Sequence, residues 1–469
     1  MRFFITRLVI LPGIAILLLS AIPATRLNAQ QPAPGTSRGY QTTPDELRAI
    51  AAKAEAGLEP YKSAVADVLN WADREWDYKL DTNESCSSST NPAWIHSERG
   101  VKRLYARALA YHLTGETHYA EEVKVILERI MSEVLTISLN EQQCRLNFGW
   151  GTPELVASAD LIEDYWQGQL CRGPLSTRYD DLTIGTGDCK ALFQNWLVKN
   201  PYYVVSYTAE NSQSNWGAAA TATLAAVADY LWDRSDVLLA HRFPPQINGG
   251  QDALFTPAEA YEHANRLALD RMNGYRVEYH SSSACDLMGG EQQYEDWPPV
   301  KSQITENGII PEDARRREAC NIPRYNGEYQ NYPQVHLGNA IQQCELLLRR
   351  GDRSCYDNID LTDIPDYTFV DFRGKTHTTP LVAGRGSIER AIDAIIVDSD
   401  TEWKHDSALE LAYHYYSQFS RFGNVAQWAA QLNRPGDCSQ DVCFGTLTHG
   451  LAPGEVPGLP PTVPPPGAQ

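Results

Sequence analysis

The segment Asn211-Ser212-Gln213-Ser214-Asn215-Trp216 is the most informative stretch of the chain, because its amide and indole side chains stand directly before a long run of small and apolar residues. Within this run, from 217 to 232, apolar side chains recur at spacings that fit successive turns of one helix. Asn211 and Asn215 therefore belong to the N-terminal end of that helix, where backbone N–H groups are unsatisfied and the local charge is partly positive. This end is predicted to hold an anion. The alternative is that one of the two asparagines only caps the helix.

Amphipathic segments with capping residues continue on both sides of this helix. The segment 99–113 has a helical pattern and stops at Gly115, and Thr117 can cap a second helix, so a short turn joins the two in an αα-hairpin. Thr152 and Pro153 form a helix start, with a hydroxyl at the cap and proline in the first turn. This helix is predicted to continue over 155–166, and the other predicted helices span 190–198, 256–272, 335–350, 387–396 and 407–419. Hairpins repeated around one axis give an all-α fold, an α/α toroid in which the hairpins form an incomplete barrel.

Three stretches interrupt or end this helical pattern. Residues 367–382 alternate between apolar and polar around Gly374, which predicts a small β-hairpin insertion. Residues 281–325 are largely polar and are predicted to form a long connection, which inside a compact domain is usually functional or disordered. The end of the chain, 451–469, is rich in proline and is predicted to be extended and disordered. One domain is therefore expected from about 40 to 450.

Residues 1–29 have the composition of a secretory signal peptide. Arg2 and Arg7 precede an apolar run from 8 to 22, and cleavage is predicted after Ala29, with Ala24 as the alternative. No later segment approaches about 18 uninterrupted apolar residues. The mature protein is therefore predicted to be periplasmic or secreted, with no membrane partner after signal cleavage.

The 10 cysteines agree with an oxidising destination. Their even number, without a C-x-x-C pair or the spacing of a zinc site, favours disulfides, and no metal and no cofactor are predicted. We expect neighbours along the chain to pair, although spacing alone does not fix the connectivity. The expected pairs are Cys86–Cys144, Cys171–Cys189, Cys285–Cys320, Cys344–Cys355 and Cys438–Cys443.

The charge balance excludes several classes of partner. The chain has 40 Lys and Arg against 59 Asp and Glu, a formal charge of -19, and loss of Arg2, Arg7 and Arg26 with the signal peptide makes it -22. Nucleic acid and anionic membranes are therefore poor partners. An acidic polymer can bind only through a local basic cleft. The obvious cluster, the arginines at 315–317 followed by Arg324, could also be a solvated surface run.

Several common catalytic motifs are absent from the sequence. It contains no His-Glu-x-x-His, no Gly-x-Ser-x-Gly and no glycine loop of the phosphate-binding type. Metalloprotease, serine hydrolase and nucleotide-binding functions therefore lack their usual sequence support.

Four segments carry a resemblance to a known family. In chain order they are Arg99-Gly100-Val101-Lys102 continuing to Thr114-Gly115 and His118-Tyr119-Ala120, then Phe193-Gln194-Asn195-Trp196-Leu197, then the segment 211–216, and finally Tyr329-Gln330-Asn331-Tyr332 leading to Arg349-Arg350-Gly351. In this order and spacing they resemble the alginate lyase domain of secreted polysaccharide lyases, over about residues 95 to 355. The resemblance implies a helical toroid and β-elimination on a uronic-acid polymer. Gln213 stands where the family sometimes has histidine.

The chemistry of β-elimination explains the residue types that the resemblance brings together. Removing the C5 proton of a uronate adds negative charge to a group that is already a carboxylate, so amide, imidazole or guanidinium donors must neutralise it. The candidates for this neutralising set are Asn215 or Asn211, His280 and Arg324. The resemblance implies a tyrosine as base, acid or both, with Tyr329 as the first candidate and Tyr332 as the reserve. A tyrosine base, with an ordinary pKa of ~10, needs nearby positive charge or a relay.

Two other functions remain open at the level of sequence. Helical toroids also host glycoside hydrolases, which need two carboxylates about 5 to 9.5 Å apart. Possible sources are Glu291, Glu295, Asp296 and Glu328. A third possibility is a non-catalytic glycan-binding protein of the envelope. Trp94, Trp196 and Trp216 could stack on sugar rings, although indoles are more often buried.

Overall fold

The computed structural model describes residues 36–75, 98–140, 142–212, 214–245, 248–272, 310, 313, 331–357, 367–370, 376–379, 387–397, 402–419, 424–436 and 441–467. The predicted signal peptide and almost all of the connection 281–325 lie outside these residues. None of the described helices combines the length and the apolarity needed to cross a bilayer.

The described part of the chain is predominantly helical. Helices α1 to α5 are Pro44–Glu55, Tyr61–Ala72, Glu98–Thr114, Thr117–Glu133 and Gln142–Leu161. Helices α6 to α10 are Glu163–Trp166, Cys189–Leu197, Tyr203–Asn211, Asn215–Tyr230 and Pro257–Met272. Helices α11 to α16 are Asn331–Arg349, Ser354–Asp357, Ile388–Ile396, Asp406–Tyr416, Val425–Gln431 and Gly445–His449. A π-helical turn, Val198–Tyr202, leads into α8, and Asn248–Gly250 is a 3₁₀ turn.

Three small antiparallel strand pairs accompany the helices. Strand β1 (Leu170–Pro174) pairs with β2 (Ile184–Asp188), β3 (Leu239–His241) with β4 (Ala253–Phe255), and β5 (Tyr367–Val370) with β6 (Thr376–Thr379). The last pair is the β-hairpin predicted within 367–382, and this prediction is confirmed.

The helices pack as a ring. Contacts lead from α2 to α3, α5, α9, α11, α14 and α16, and α16 in turn contacts α1 and α2. A second layer lies against this ring, with α4 against α3, α8 and α10 against α9, and α13 and α15 against α14. One large cluster of buried apolar side chains runs through both layers. The all-α toroid predicted from the sequence is therefore the observed architecture.

Helix α9 lies at the centre of this packing. It contacts α5, α8, α10 and α11, and every residue from Gly217 to Tyr230 is buried. A helix that is buried on all sides needs small and apolar residues throughout, which explains the alanine-rich sequence. Helix α9 is therefore enclosed by other helices along its length.

One predicted helix start lies inside a helix. The sequence predicted a start at Thr152, but α5 continues through Pro153, whose ring nitrogen cannot donate to the carbonyl of Gly149 four residues before it. The hydroxyl of Thr223 on α9 donates to that carbonyl instead, at 2.8 Å. Helix α9 can approach closely because Gly149 has no side chain, and a Cβ there would lie 3.3 Å from Ala219. A contact between helices therefore compensates for the proline.

Two of the predicted disulfides are present in the described residues. Cys171 bonds to Cys189, across β1 and the start of α7, and Cys344 bonds to Cys355, with Cα–Cα distances of 4.8 and 5.2 Å. Cys144 and Cys443 are also disulfide-bonded. Their predicted partners, Cys86 and Cys438, lie outside the described residues, as does the pair Cys285–Cys320.

The proline-rich end of the chain is extended, but it is not detached from the domain. Residues 451–467 contain no helix or strand. The amide of Val463 donates to the carbonyl of Arg349 at 2.9 Å, and the guanidinium of Arg38 donates to the carbonyl of Pro464 at 2.9 Å. The expectation of disorder is therefore corrected for these residues. A proline-rich segment cannot pair its own backbone groups, so here a carbonyl accepts from a neighbouring side chain and an N–H donates to the carbonyl of Arg349 in α11.

Candidate functional site

The turn between α8 and α9 holds the segment that carries the predicted anion site. Ser214 is the N-cap of α9, and its hydroxyl oxygen accepts a hydrogen bond from the amide of Trp216 at 3.3 Å. The hydroxyl of Ser212 lies 2.9 Å from that of Ser214. Capping is thus performed by serine, and neither asparagine is needed for it. Gln213 lies outside the described residues.

Asn215 occupies the first turn of α9 and is 1% exposed. Its backbone N–H donates to Oδ1 of Asp313 at 3.1 Å. Among the described residues, neither the nitrogen nor the oxygen of its buried side-chain amide has a hydrogen-bond partner, and the same holds for Oδ1 of Asn211. Because buried polar atoms without partners cost free energy, amides held in this state are suited to bind a polar ligand.

Asp313 links the start of α9 to the first turns of α11. Its other carboxylate oxygen, Oδ2, lies 2.8 Å from Nδ1 of His336. Asp313 is fully buried and His336 is 2% exposed. An ionised carboxylate can only accept hydrogen bonds, so Nδ1 of His336 carries the hydrogen and the ring is fixed with Nε2 on its far side. Asn215 and His336 therefore flank the same carboxylate.

Aromatic side chains lie near this cluster. Tyr332 is partly exposed and precedes His336 by four residues, so the two share one face of α11. Trp216 is partly buried against a small apolar cluster that includes Trp150, an arrangement that leaves indole surface for a sugar ring. Trp196, in contrast, is fully buried and donates to the carbonyl of Val134 at 2.9 Å, so it belongs to the core.

Two arginines converge on one tyrosine beside this turn. The guanidinium carbons of Arg145 on α5 and Arg242 after β3 lie 5.5 and 5.3 Å from the ring centre of Tyr207. Burial, followed by the positive charge of Arg242, lowers the pKa of Arg145. Nε of Arg145 and Nη1 of Arg242 are buried without a hydrogen-bond partner among the described residues. The pair therefore forms a local positive site in an acidic protein.

Helix α8 connects this arginine pair to the asparagines. Tyr203, Tyr207 and Asn211 are four residues apart and all are partly exposed, so they form one face of α8. With a rise of 1.5 Å per residue, Tyr207 and Asn211 lie about 6 Å apart along the helix. The basic site and the end of α8 are thus neighbours on the same surface. We call the face 203–211 with Arg145 and Arg242 the basic face.

The six predicted site residues divide into two groups. Asn211, Asn215 and Tyr332 are described, and the structure places them around the α8–α9 turn and the start of α11. Arg324, Tyr329 and His280 lie outside the described residues, and so do the alternative carboxylates Glu291, Glu295, Asp296 and Glu328 and the arginines at 315–317.

Sequence reasoning did not select four residues of this region. His336 belongs to no recognisable motif, although its spacing from Tyr332 on a helical segment is a usable signal. Asp313 lies in the long polar connection, where no periodicity marks it. Arg145 and Arg242 are far apart in sequence, and only the packing of α5 against α8 and α9 brings them together.

Comparison with known proteins identifies no family for this chain. No family model and no curated protein matches it. Among solved structures, an alginate lyase from Bacteroides ovatus is similar, with 13% sequence identity and a TM-score of 0.48 over 89% of this chain and 100% of that one. A likeness of this degree carries no argument about activity or site residues.

Proposed function

We propose that the protein is a polysaccharide lyase that cleaves a uronic-acid polymer, alginate or a related polyuronate, by β-elimination. The observation that carries this proposal is the Asn215–Asp313–His336 cluster at the N-terminal end of α9, where buried amide atoms lack partners among the described residues. The resemblance of the sequence to the alginate lyase domain points to the same chemistry. The protein acts after export, in the periplasm or outside the cell, and needs no organic cofactor.

The first task of the site is to neutralise the uronate carboxylate. The side-chain amide of Asn215 and Nε2 of His336 are the donors, since both residues are held by the same carboxylate, Asn215 through its backbone N–H and His336 through Nδ1. A ring held between Asp313 and a substrate carboxylate faces an acceptor on each side, so it carries a hydrogen on both nitrogens and a positive charge. Neutralisation of the carboxylate lets the C5 proton leave at lower cost.

The second task is to bind the acidic polymer. Arg145 and Arg242 supply a local positive site in a chain of net charge -19. Guanidinium groups bind carboxylates through paired N–H donors, and their buried N–H groups are available for this. We assign the basic face to a uronate next to the cleaved one. Trp216 stacks on a sugar ring.

The third task is proton transfer. A tyrosine takes the C5 proton, the electrons form the C4–C5 double bond, and the C4–O bond breaks. The leaving oxygen receives a proton from the same or another tyrosine. Tyr329 is the first candidate and Tyr332 the reserve, and Arg324 and His280 remain candidates for the neutralising set. Only Tyr332 among these four lies within the described residues.

A screen of the mature protein against several polyuronates tests the function. Ultraviolet absorbance of the unsaturated uronate separates a lyase from a glycoside hydrolase, which cleaves without forming a double bond, and from a protein that binds without turnover. Cleavage without the absorbance, or binding alone, would contradict the proposal.

Two matched variants test the tyrosine assignment. Tyr329→Phe keeps the ring but removes the hydroxyl, so turnover should fall by about 10²–10⁴-fold, while Tyr332→Phe should be milder. The reverse order of effects would move the role to Tyr332. Full activity in both variants would refute the tyrosine mechanism.

A further inference from the structure

A second polar cluster lies next to the basic face, at the junction of three elements. Glu210 comes from the end of α8, His241 from the end of β3 and His263 from α10. Oε1 of Glu210 lies 3.1 Å from Nε2 of His241 and 2.6 Å from Nε2 of His263. The side chains of Glu210 and His241 are 1% and 0% exposed, whereas that of His263 is 25% exposed. One ligand atom from each residue lies within 4.8 Å of the other two.

We propose that Glu210, His241 and His263 bind a zinc ion through Oε1 and the two Nε2 atoms. Two imidazoles and one carboxylate are a common zinc ligand set, and a fourth position is then left for water or another ligand. A site with imidazole nitrogens binds zinc in preference to magnesium or calcium, because these two ions prefer oxygen ligands. The partly exposed edge of His263 gives the ion a route from solvent.

The spacing of the three atoms is compatible with a tetrahedral ion. Bonds of about 2.1 Å in a tetrahedral site place ligand atoms about 3.4 Å apart. The His241 contact of 3.1 Å is already near this separation, and the His263 contact of 2.6 Å must open by less than about 1 Å. His263 lies on the surface side of α10, so a small rotation of its ring is enough.

The groups around the three residues also suit a metal site. The hydroxyl of Tyr202 lies 3.1 Å from Nδ1 of His241, and a metal-binding histidine is typically fixed by a hydrogen bond at its other nitrogen. The rings of Phe243 and Phe255 lie 4.8 and 5.2 Å from that of His241. They limit access of water to the buried side of the cluster.

A metal-free cluster would use the same contacts differently. Each Nε2 would carry a hydrogen and donate to Glu210, and Tyr202 would donate to Nδ1 of His241. The hydroxyl of Tyr202 can donate or accept, so it serves both states. Binding of zinc through Nε2 would move the hydrogen of each neutral ring to its own Nδ1, in His241 and in His263. Direct measurement of metal binding therefore separates the two arrangements.

Zinc at this position would act on the neighbouring site through the backbone. Glu210 directly precedes Asn211, and His241 directly precedes Arg242. An ion that ties the end of α8 to β3 and α10 would fix both neighbours, and we assign it a positioning role. Binding of zinc does not depend on the proposed lyase activity, so the two proposals can fail separately.

The experiment measures zinc bound to the full mature chain, produced without a histidine tag. The protein is treated with a chelator, dialysed against Zn²⁺ and analysed for metal content, and Co²⁺ is used in parallel because tetrahedral cobalt absorbs visible light. We expect about one ion per chain. His263→Gln and Glu210→Gln should lose this ion, and Tyr202→Phe should bind it about 10–100-fold more weakly.

His118→Gln is the matched control. His118 also lies beside a glutamate, Glu116, at 3.3 Å, but its side chain is 53% exposed, and no third ligand from the described residues joins the pair. The control should bind zinc as the wild type does. His263 is partly exposed, so its variant should fold, which a thermal melt checks. Added Zn²⁺ should raise the Tm of the wild type and of the control but not that of His263→Gln. Absence of bound metal in the wild type, or equal binding by folded His263→Gln, would overturn the proposal.

Discussion

Replacement of Asp313 by Asn tests whether the buried carboxylate sets the protonation of the neutralising histidine. Asp313 accepts a hydrogen bond from the backbone N–H of Asn215 through Oδ1 and one from Nδ1 of His336 through Oδ2. An asparagine at position 313 has only one acceptor oxygen, which can keep the hydrogen bond from the backbone N–H of Asn215. Its NH₂ group then faces Nδ1 of His336. His336 must accept at Nδ1 and carry its hydrogen on Nε2. The shape of the site is kept, but the ring becomes neutral.

The magnitude follows from the kind of interaction that is lost. In the proposed reaction, the charged ring donates to a uronate carboxylate whose negative charge grows in the transition state. Removing one such donor typically costs about 2.7–4 kcal/mol, or 10²–10³-fold in kcat. A neutral Nε2–H still donates, so the lower end is expected, about 10²-fold. Stability should fall by about 1–3 kcal/mol, because a buried charged hydrogen bond is replaced.

The assay follows kcat and KM at the unsaturated product, with unfolding in urea measured on the same samples. Asp393→Asn is the matched control, since Asp393 is 3% exposed and accepts from Trp428 and Asn424, both at 2.8 Å, and no histidine is among its described partners. The control should lose stability but keep kcat. The reasoning is refuted if Asp313→Asn, folded in the assay, keeps wild-type kcat, or if both variants lose activity equally.

Three further outcomes are expected. Arg145→Gln and Arg242→Gln should each raise KM for a polyuronate more than they lower kcat, and the wild-type KM should rise with salt concentration. An unchanged KM in both variants would show that the basic face does not bind substrate. Burial alone would raise the pKa of Glu345, but the charges of His449 and Arg349 lower this pKa from 4.5 to about 2. Ionised Glu345 therefore stabilises the folded state above that range, and as the pH falls from 4.5 to about 2 the free energy of unfolding should drop by about 3 kcal/mol more in the wild type than in Glu345→Gln. Denatured, non-reduced protein should contain no reactive thiols, and several would contradict the disulfide assignment.

The fold could be predicted from the sequence because most of its helices carry their own signals. The hairpin of α3 and α4 is marked by a helical period on both sides of Gly115, which adopts a φ of 77° at the turn. The start of α5 could not be predicted. Pro153 is a helix-start signal in the local sequence, and only the hydroxyl of Thr223, 70 residues later, makes it acceptable within a helix. Long-range compensation of this kind leaves no local pattern.

Of the candidate site, only the segment 211–216 could be predicted from the sequence. The amides of the segment 211–216 stand at a helix start, and this placement is readable because capping and helical period are local. The partners of this segment come from elsewhere: Asp313 from a polar connection, and His336 from the second turn of α11. No local rule links either of them to Asn215, since the link exists only where α9 and α11 pack together.

The arrangement of charges around Arg145 and Arg242 is the strongest physical reason to treat the basic face as a binding site. Arg145 and Arg242 are held near one another, and burial together with their mutual repulsion lowers the pKa of Arg145. Among the described residues neither has a carboxylate partner, although the chain has an excess of 19 acidic groups. The one buried carboxylate at the end of α8, Glu210, is engaged by two histidines instead. Two partly buried cations that lack a counterion within the described part of the chain are costly, and an anionic ligand that binds the basic face would recover that cost.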